Sequence, residues 1–184
     1  KLELGKGEVM MKKLLIVVDF QVDFVDGTLG FPEAKKLEDL IYEKIKAYKA
    51  NGDDVIFTFD THDENYLNTI EGKKLPIVHC IKGTEGHKLY GKVNELLDCG
   101  MSIEKVTFGS LELGNYLKDK DYMEVEICGL VSNICVLSNA IIAKAALPNA
   151  IIKVDAKATA SVNLDLHNKA LDVMEGLHID VFNR

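Results

Sequence analysis

Tyr122-Met-Glu-Val-Glu-Ile-Cys-Gly-Leu-Val-Ser-Asn-Ile-Cys135 decides the fold, together with the apolar run that follows it to Leu147. Its first half, up to Cys128, sets Val125 and Ile127 in β-like alternation with Glu124 and Glu126. Residues 134–147 have only Ser138, Asn139 and Lys144 as clearly polar positions, and Pro148 follows. That pattern predicts a helix buried over most of its surface. Cys135 therefore falls where a strand turns into a helix. A thiol there lies near helix N–H groups, whose dipoles stabilise a thiolate and an oxyanion.

The same alternation extends in both directions. Strands are predicted at residues 14–18, 55–59, 102–106, 123–128, 150–154 and 179–182, with 77–79 ambiguous. Helices are predicted at 32–49, 91–97, 111–117, 134–147 and 164–177. In the first of these Leu37, Leu40, Ile41, Ile45 and Tyr48 recur at helical spacing, Pro32 stands near the start, and Asn51-Gly52 marks the end. Strands alternating with helices imply βαβ units. The expected fold is a three-layer α/β/α, Rossmann-like sandwich around a mainly parallel sheet of about six strands. Ligands then bind at the carboxyl ends of the strands. Residues 61–88 are long and weakly periodic, which marks a functional loop.

Composition narrows the class. The 184 residues suit one domain with a full core; 47% are hydrophobic and 28% charged. The net charge of −7 and pI of about 5.3, with no basic cluster, argue against nucleic acid and anionic membrane as partners. No apolar run approaches the ~20 residues of a membrane span. Cys80, Cys99, Cys128 and Cys135 lack the spacing of a secreted disulfide framework, so free thiols and a cytoplasmic location are expected. Residues 1–11 read as an appended, propeptide-like or disordered segment, with a native start at Met10 or Met11. The domain is then expected to span 12–184.

Four chemically capable side chains fall at predicted strand ends. Asp19 follows the first strand, Asp60 ends the second, Lys105 ends the third, and Cys135 follows the fourth. Each has a plain alternative. Cys135 is either a nucleophile or a small buried hydrophobe. Asp19, directly after five apolar residues, is either a desolvated proton shuttle with a raised pKa or a carboxylate that orders the next turn. Lys105 is either a surface residue or the counter-ion of both. Asp60-Thr-His62, with His79 further on, makes a carboxylate and imidazole metal set, or else a loop with solvated histidines. Asp63, Glu64, Asn68 and Glu71 offer a further oxygen ligand. His87, His167 and His178 read as surface or helix-edge residues.

Taken in order, five motifs resemble the isochorismatase-like cysteine hydrolases, and within them the nicotinamidase/pyrazinamidase group. They are Asp19-Phe-Gln-Val-Asp-Phe24, Phe59-Asp-Thr-His62, His79-Cys-Ile-Lys-Gly-Thr-Glu-Gly86, Glu104-Lys105 and Gly129-Leu-Val-Ser-Asn-Ile-Cys135. The resemblance covers residues 13–184. It implies a catalytic triad of Asp19, Lys105 and Cys135. It implies a divalent metal, Zn ahead of Fe or Mn, on Asp60, His62 and His79, with Glu71 as a further ligand. It also implies a cis peptide at Leu130–Val131 and an oxyanion hole from the Val131 and Cys135 N–H groups. Phe24 and Val131 would then border the substrate. The implied reaction is hydrolysis of nicotinamide to nicotinate and ammonia through a thioester, in NAD salvage, by a homo-oligomer (dimer or tetramer).

Two departures touch the pocket. Many relatives carry an aromatic residue shortly before the metal-binding His, whereas this chain reads Leu75-Pro-Ile-Val-His79 and has no Trp. After Lys105 it reads Thr107-Phe-Gly-Ser-Leu111, where a Ser/Ala-Phe motif is usual. The alternatives are a metal-free relative acting on an N-carbamoyl or ureido substrate, and a non-catalytic binding member of the fold. Isochorismatase activity itself goes with members that lack the Cys.

Overall fold

A computed structural model describes residues 11–184. The expectation of an extraneous leader falls, Met11 apart, outside the described residues. Six strands form one all-parallel sheet: β1 (Lys13–Val18), β2 (Asp54–Asp60), β3 (Met101–Lys105), β4 (Glu124–Leu130), β5 (Ile151–Ala160) and β6 (Asp180–Phe182). Their order is β3-β2-β1-β4-β5-β6. The order reverses between β1 and β4, which opens a crevice at the carboxyl ends of those two strands.

Among the described residues seven α-helices flank the sheet: α1 (Val22–Val25), α2 (Pro32–Lys35), α3 (Glu38–Ala50), α4 (Ile70–Lys74), α5 (Leu111–Leu117), α6 (Leu137–Ala146) and α7 (Leu164–Gly176). β1 is central, and Leu14 to Val18 are all fully buried because both faces of the strand are covered. Leu14, Ile16 and Val18 face α5, α6 and α7. Leu15 and Val17 face the side of α2 and α3, where Ile41 and Ile45 pack. Truncating one such side chain to Ala costs about 2–5 kcal/mol. Among the described residues no helix is long and apolar enough to cross a membrane.

Several boundaries differ from the sequence-based expectation. The helix expected at 32–49 is two helices, α2 and α3, separated around Leu37. Leu37 is itself buried, so the apolar spacing continues through the break. Residues 91–99 form tight 3₁₀ turns rather than an α-helix. The helix expected from 134 starts as one wide π turn at Ser132–Val136 and becomes α-helical only at Leu137. β5 runs twice as long as expected, and its last two residues, Thr159 and Ala160, pair with Gly129 and Leu130 after a register shift between Ile127 and Gly129. On its other side, Gly129 lets β4 lie close against β1. It adopts φ +109, and a Cβ there would lie 2.1 Å from the Val18 carbonyl oxygen.

Candidate active site

Asp19 sits one residue past β1 in a left-handed conformation, φ +47. Its N–H donates to the Thr58 carbonyl at 3.1 Å, and Thr58 Oγ1 donates to Asp19 Oδ1 at 2.7 Å. The carboxylate is fully buried. Lys105 Nζ, arriving from the end of β3, lies 2.6 Å from Asp19 Oδ2 and 3.6 Å from Cys135 Sγ. It also donates to the Thr107 carbonyl at 3.0 Å. The structure thus brings together Asp19, Lys105 and Cys135 from three separate strand ends.

Their electrostatics follow from burial. Desolvation raises the Asp19 pKa against the opposing charge of Lys105. Burial alone would lower that of Lys105, but Asp19, Cys135 and Asp60 outweigh it and hold the ammonium above its ordinary value. Cys135 departs from expectation. Burial and then the Asp19 charge push its thiol well above the usual value, although Lys105 opposes them. The turn geometry that favours a thiolate is outweighed by the loss of water around the sulfur.

The second cluster is equally compact. Asp60, His62, Glu71 and His79 each offer a ligand atom, and these atoms lie within 4.8 Å of one another. His62 Nε2 and His79 Nε2 stand 3.0 and 3.2 Å from Asp60 Oδ2. His79 Nδ1 lies 2.7 Å from the Ile77 carbonyl. A carbonyl only accepts, so that contact places a proton on Nδ1, and a cation held in the cluster would take the place of the proton that Nε2 shares with Asp60. Burial would raise the Asp60 pKa, but hydrogen bonds from both imidazoles and the charge of Lys105 hold it well below the usual carboxylate range. Burial and Asp60 raise that of Glu71. Two imidazoles and two carboxylates converging in this way are a donor set that fits a borderline divalent cation. Asp63, Glu64 and Asn68 do not join it.

Glu71 reaches the cluster because residues 61–88 are not an open loop. Thr69 Oγ1 caps α4 by accepting from Gly72 N at 3.0 Å. Gly72 packs on the preceding turn, where a Cβ would meet the Tyr66 carbonyl oxygen at 2.1 Å. Tyr66 is buried, with its ring 4.7 Å from His62 and 4.9 Å from His79, centroid to centroid. An aromatic side chain thus supports both imidazoles, although none directly precedes His79.

Sequence reasoning missed the side chains that hold these pieces in place. Gln21 Oε1 accepts from Asp60 N at 2.8 Å, while its Nε2 donates to the Asp60 and His87 carbonyls, each at 2.9 Å. Asp23 Oδ2 accepts from Cys80 N at 2.8 Å, next to His79. Both belong to the Asp19 motif, whose polar alternation was the available signal. Asn139 is fully buried and donates to the Cys135 and Phe108 carbonyls at 2.8 and 3.0 Å. It ties the thiol turn to the segment after Lys105. His87 and His167 are half-buried rather than surface residues: His87 Nε2 lies 2.8 Å from Thr61 Oγ1, and His167 Nδ1 lies 2.8 Å from Ser132 Oγ.

Burial, helped by the Arg184 charge, holds the His167 imidazole below its ordinary pKa of 6.5. The unfolded chain therefore takes up this proton first, so stability is lost as pH falls through 6.5 toward the lower folded value. Between about pH 7.5 and about pH 5.5, the urea midpoint is expected to fall further for the unaltered chain than for His167→Gln. Equal falls would remove His167 from that balance.

Both clusters border one cavity of about 300 Å³, with Asp60, Glu71, His79 and Cys135 in its lining. Phe24, Phe108, Val131 and Leu166 supply apolar wall. Phe24 also packs on His79, ring centroids 5.5 Å apart. The Leu130–Val131 peptide is cis. Among the described residues the Val131 N–H has no backbone acceptor.

The family model of the isochorismatase domain matches residues 13–183. A Bacillus subtilis isochorismatase family protein, PncA, described as uncharacterized, is 35% identical over 173 residues, 88% of this chain and 93% of that protein. The crystal structure of nicotinamidase PncA from Bacillus subtilis superposes with a TM-score of 0.82 at 30% identity, covering 93% of this chain and 99% of that one. The pyrazinamidase of Pyrococcus horikoshii in complex with zinc gives 0.82 at 26% identity over 94% and 99%. The chain belongs to the isochorismatase family and is a hydrolase of that family.

Proposed function

For this isochorismatase-family hydrolase we propose metal-dependent hydrolysis of nicotinamide to nicotinate and ammonia, through a thioester on Cys135, as a step of NAD salvage. One observation carries the reading. Asp60, Glu71 and His79 of the four-donor cluster line the same largely apolar cavity as Cys135, whose sulfur lies 3.6 Å from the Lys105 ammonium paired with Asp19, and such a cavity suits a flat aromatic amide with one ring donor. The similar structures, a nicotinamidase and a pyrazinamidase by name, support the same substrate class.

Asp60, His62, Glu71 and His79 would hold a divalent metal, which supplies a Lewis acid that anchors a ring-nitrogen lone pair. Phe24 and Val131 flank the ring and fix its orientation. Asp19 takes the proton from Cys135 Sγ as the sulfur bonds to the carboxamide carbon. Lys105 balances the charge that moves between Asp19 and the sulfur. The N–H groups of Val131 and Cys135 receive the oxyanion. Asp19 then returns its proton to nitrogen, the C–N bond breaks, and ammonia leaves a thioester. Asp19 next deprotonates a water that attacks the thioester carbonyl. The C–S bond breaks, the acid forms, and the thiol is regenerated.

Ammonia release across a panel of aromatic, aliphatic and N-carbamoyl amides, with and without chelator, tests this reading. Nicotinamide and pyrazinamide are expected to turn over, to stop after chelation, and to recover with added Zn, Fe or Mn. His62→Ala is expected to weaken metal retention by more than about 100-fold. Undiminished turnover in chelator, or preference for an N-carbamoyl substrate, would place the chain with the metal-free amidohydrolases.

A further inference from the structure

The four-donor cluster has two open sides. Asp60 and His79 line the cavity that holds Cys135. His62 instead lines a second cavity of about 300 Å³ with Thr61, Asp63, Thr69 and Thr107. Among the described residues, Glu71 alone borders both. It is also the most accessible of the four donors, with 17% of its side chain exposed against 6% for Asp60 and His62 and 2% for His79.

The two cavities differ in chemistry. Beyond the donors and Cys135, the first is walled mainly by apolar side chains such as Phe24, Phe108, Val131 and Leu166, and its other polar groups, Asn133, Ser161 and Asn163, carry no charge to draw in a cation. The second presents hydroxyl groups and the Asp63 carboxylate, the oxygen donors that a partly hydrated divalent cation needs while it sheds water. Its rim carries Ile70 and Val106, 75% and 77% exposed.

We propose that the divalent cation enters and leaves through this second cavity, past Glu71, so that metal exchange proceeds whether or not the Cys135 cavity is filled. The proposal rests on the metal site described under the proposed function. The apolar cavity then admits the amide, and the oxygen-lined one admits the ion. Glu71, on the five-residue α4, is the side chain that stands between them.

Zinc release from the zinc-loaded chain to a chromogenic chelator, and zinc uptake by the stripped chain, test the route. Val106→Trp and Ile70→Trp narrow the second mouth at two independent exposed positions. Both are expected to slow release and uptake alike by about tenfold, with stoichiometry and equilibrium affinity unchanged, since a barrier alters both directions equally. Leu166→Trp, and separately alkylation of the Cys135 thiol, fill the first cavity and are expected to leave both rates within about twofold. The opposite pattern, or wild-type rates in both rim variants, overturns the route. A chain that takes up no zinc overturns the metal reading, and this proposal with it; zinc uptake slowed only by filling the first cavity overturns the route alone.

Discussion

Cys135→Ala is expected to abolish ammonia release, a loss of about 10⁴-fold or more, while leaving the fold and the metal content unchanged. The sulfur is the one nucleophile in the cavity that stands beside both a carboxylate and an ammonium. Removing it takes one atom from a nearly buried position, which costs about 1 kcal/mol and leaves the turn at Ser132–Val136 in place. Asn139 still donates to the residue 135 carbonyl, because that bond involves only backbone there. Sγ is not among the four clustered donors, so metal retention is not expected to follow activity. Cys128→Ala is the control: that thiol is fully buried within β4, away from the cavity, and turnover should survive. Turnover retained by Cys135→Ala would sink the nucleophile assignment, and turnover lost together with metal would assign the sulfur a structural role.

Much of this site could be read from strand ends. Asp19, Asp60, Lys105 and Cys135 could be placed because a parallel sheet carries its chemistry at the carboxyl edge, and a run of apolar residues shows where each strand stops. Glu71 was reachable only as one of several nearby oxygens. What selects it is the Thr69 cap and the Gly72 contact with Tyr66, and apolar spacing does not encode either. Gln21, Asp23 and Asn139 were illegible for another reason. They bond to backbone of residues 39, 57 and 31 positions away, and a polar side chain in a sequence does not show which distant carbonyl or N–H it will meet. His167 read as a helix-edge residue because its partner, Ser132, lies in another element. The break between α2 and α3 was hidden because a buried Leu37 keeps the apolar rhythm while the helix itself stops.

The Cys135 thiol pKa stands above its usual value, and the physical reason yields the second large effect. Burial comes first among the causes that raise it, the Asp19 charge second, and Lys105 opposes both. Asp19→Asn removes one of the raising causes and leaves the lowering one. Amide turnover is expected to fall by about 10⁴-fold, since in the proposed mechanism Asp19 moves the proton in every step. Alkylation of Cys135 by iodoacetamide at about pH 7 is expected to rise, because the thiolate now forms opposite an otherwise uncompensated Lys105. Lys105→Met should do the reverse and slow alkylation, since it leaves the sulfur beside a carboxylate alone. Breaking a buried pair whose nitrogen and oxygen are 2.6 Å apart also destabilises the chain, by about 3–5 kcal/mol for removal of one partner. A thiol ionised by the turn alone would behave differently. It would alkylate at the same rate in the unaltered chain and in Asp19→Asn, and the variant would lose activity through the proton-transfer step only. Opposite changes in alkylation and turnover separate the two mechanisms, because one substitution frees the sulfur while removing the group that makes its attack productive.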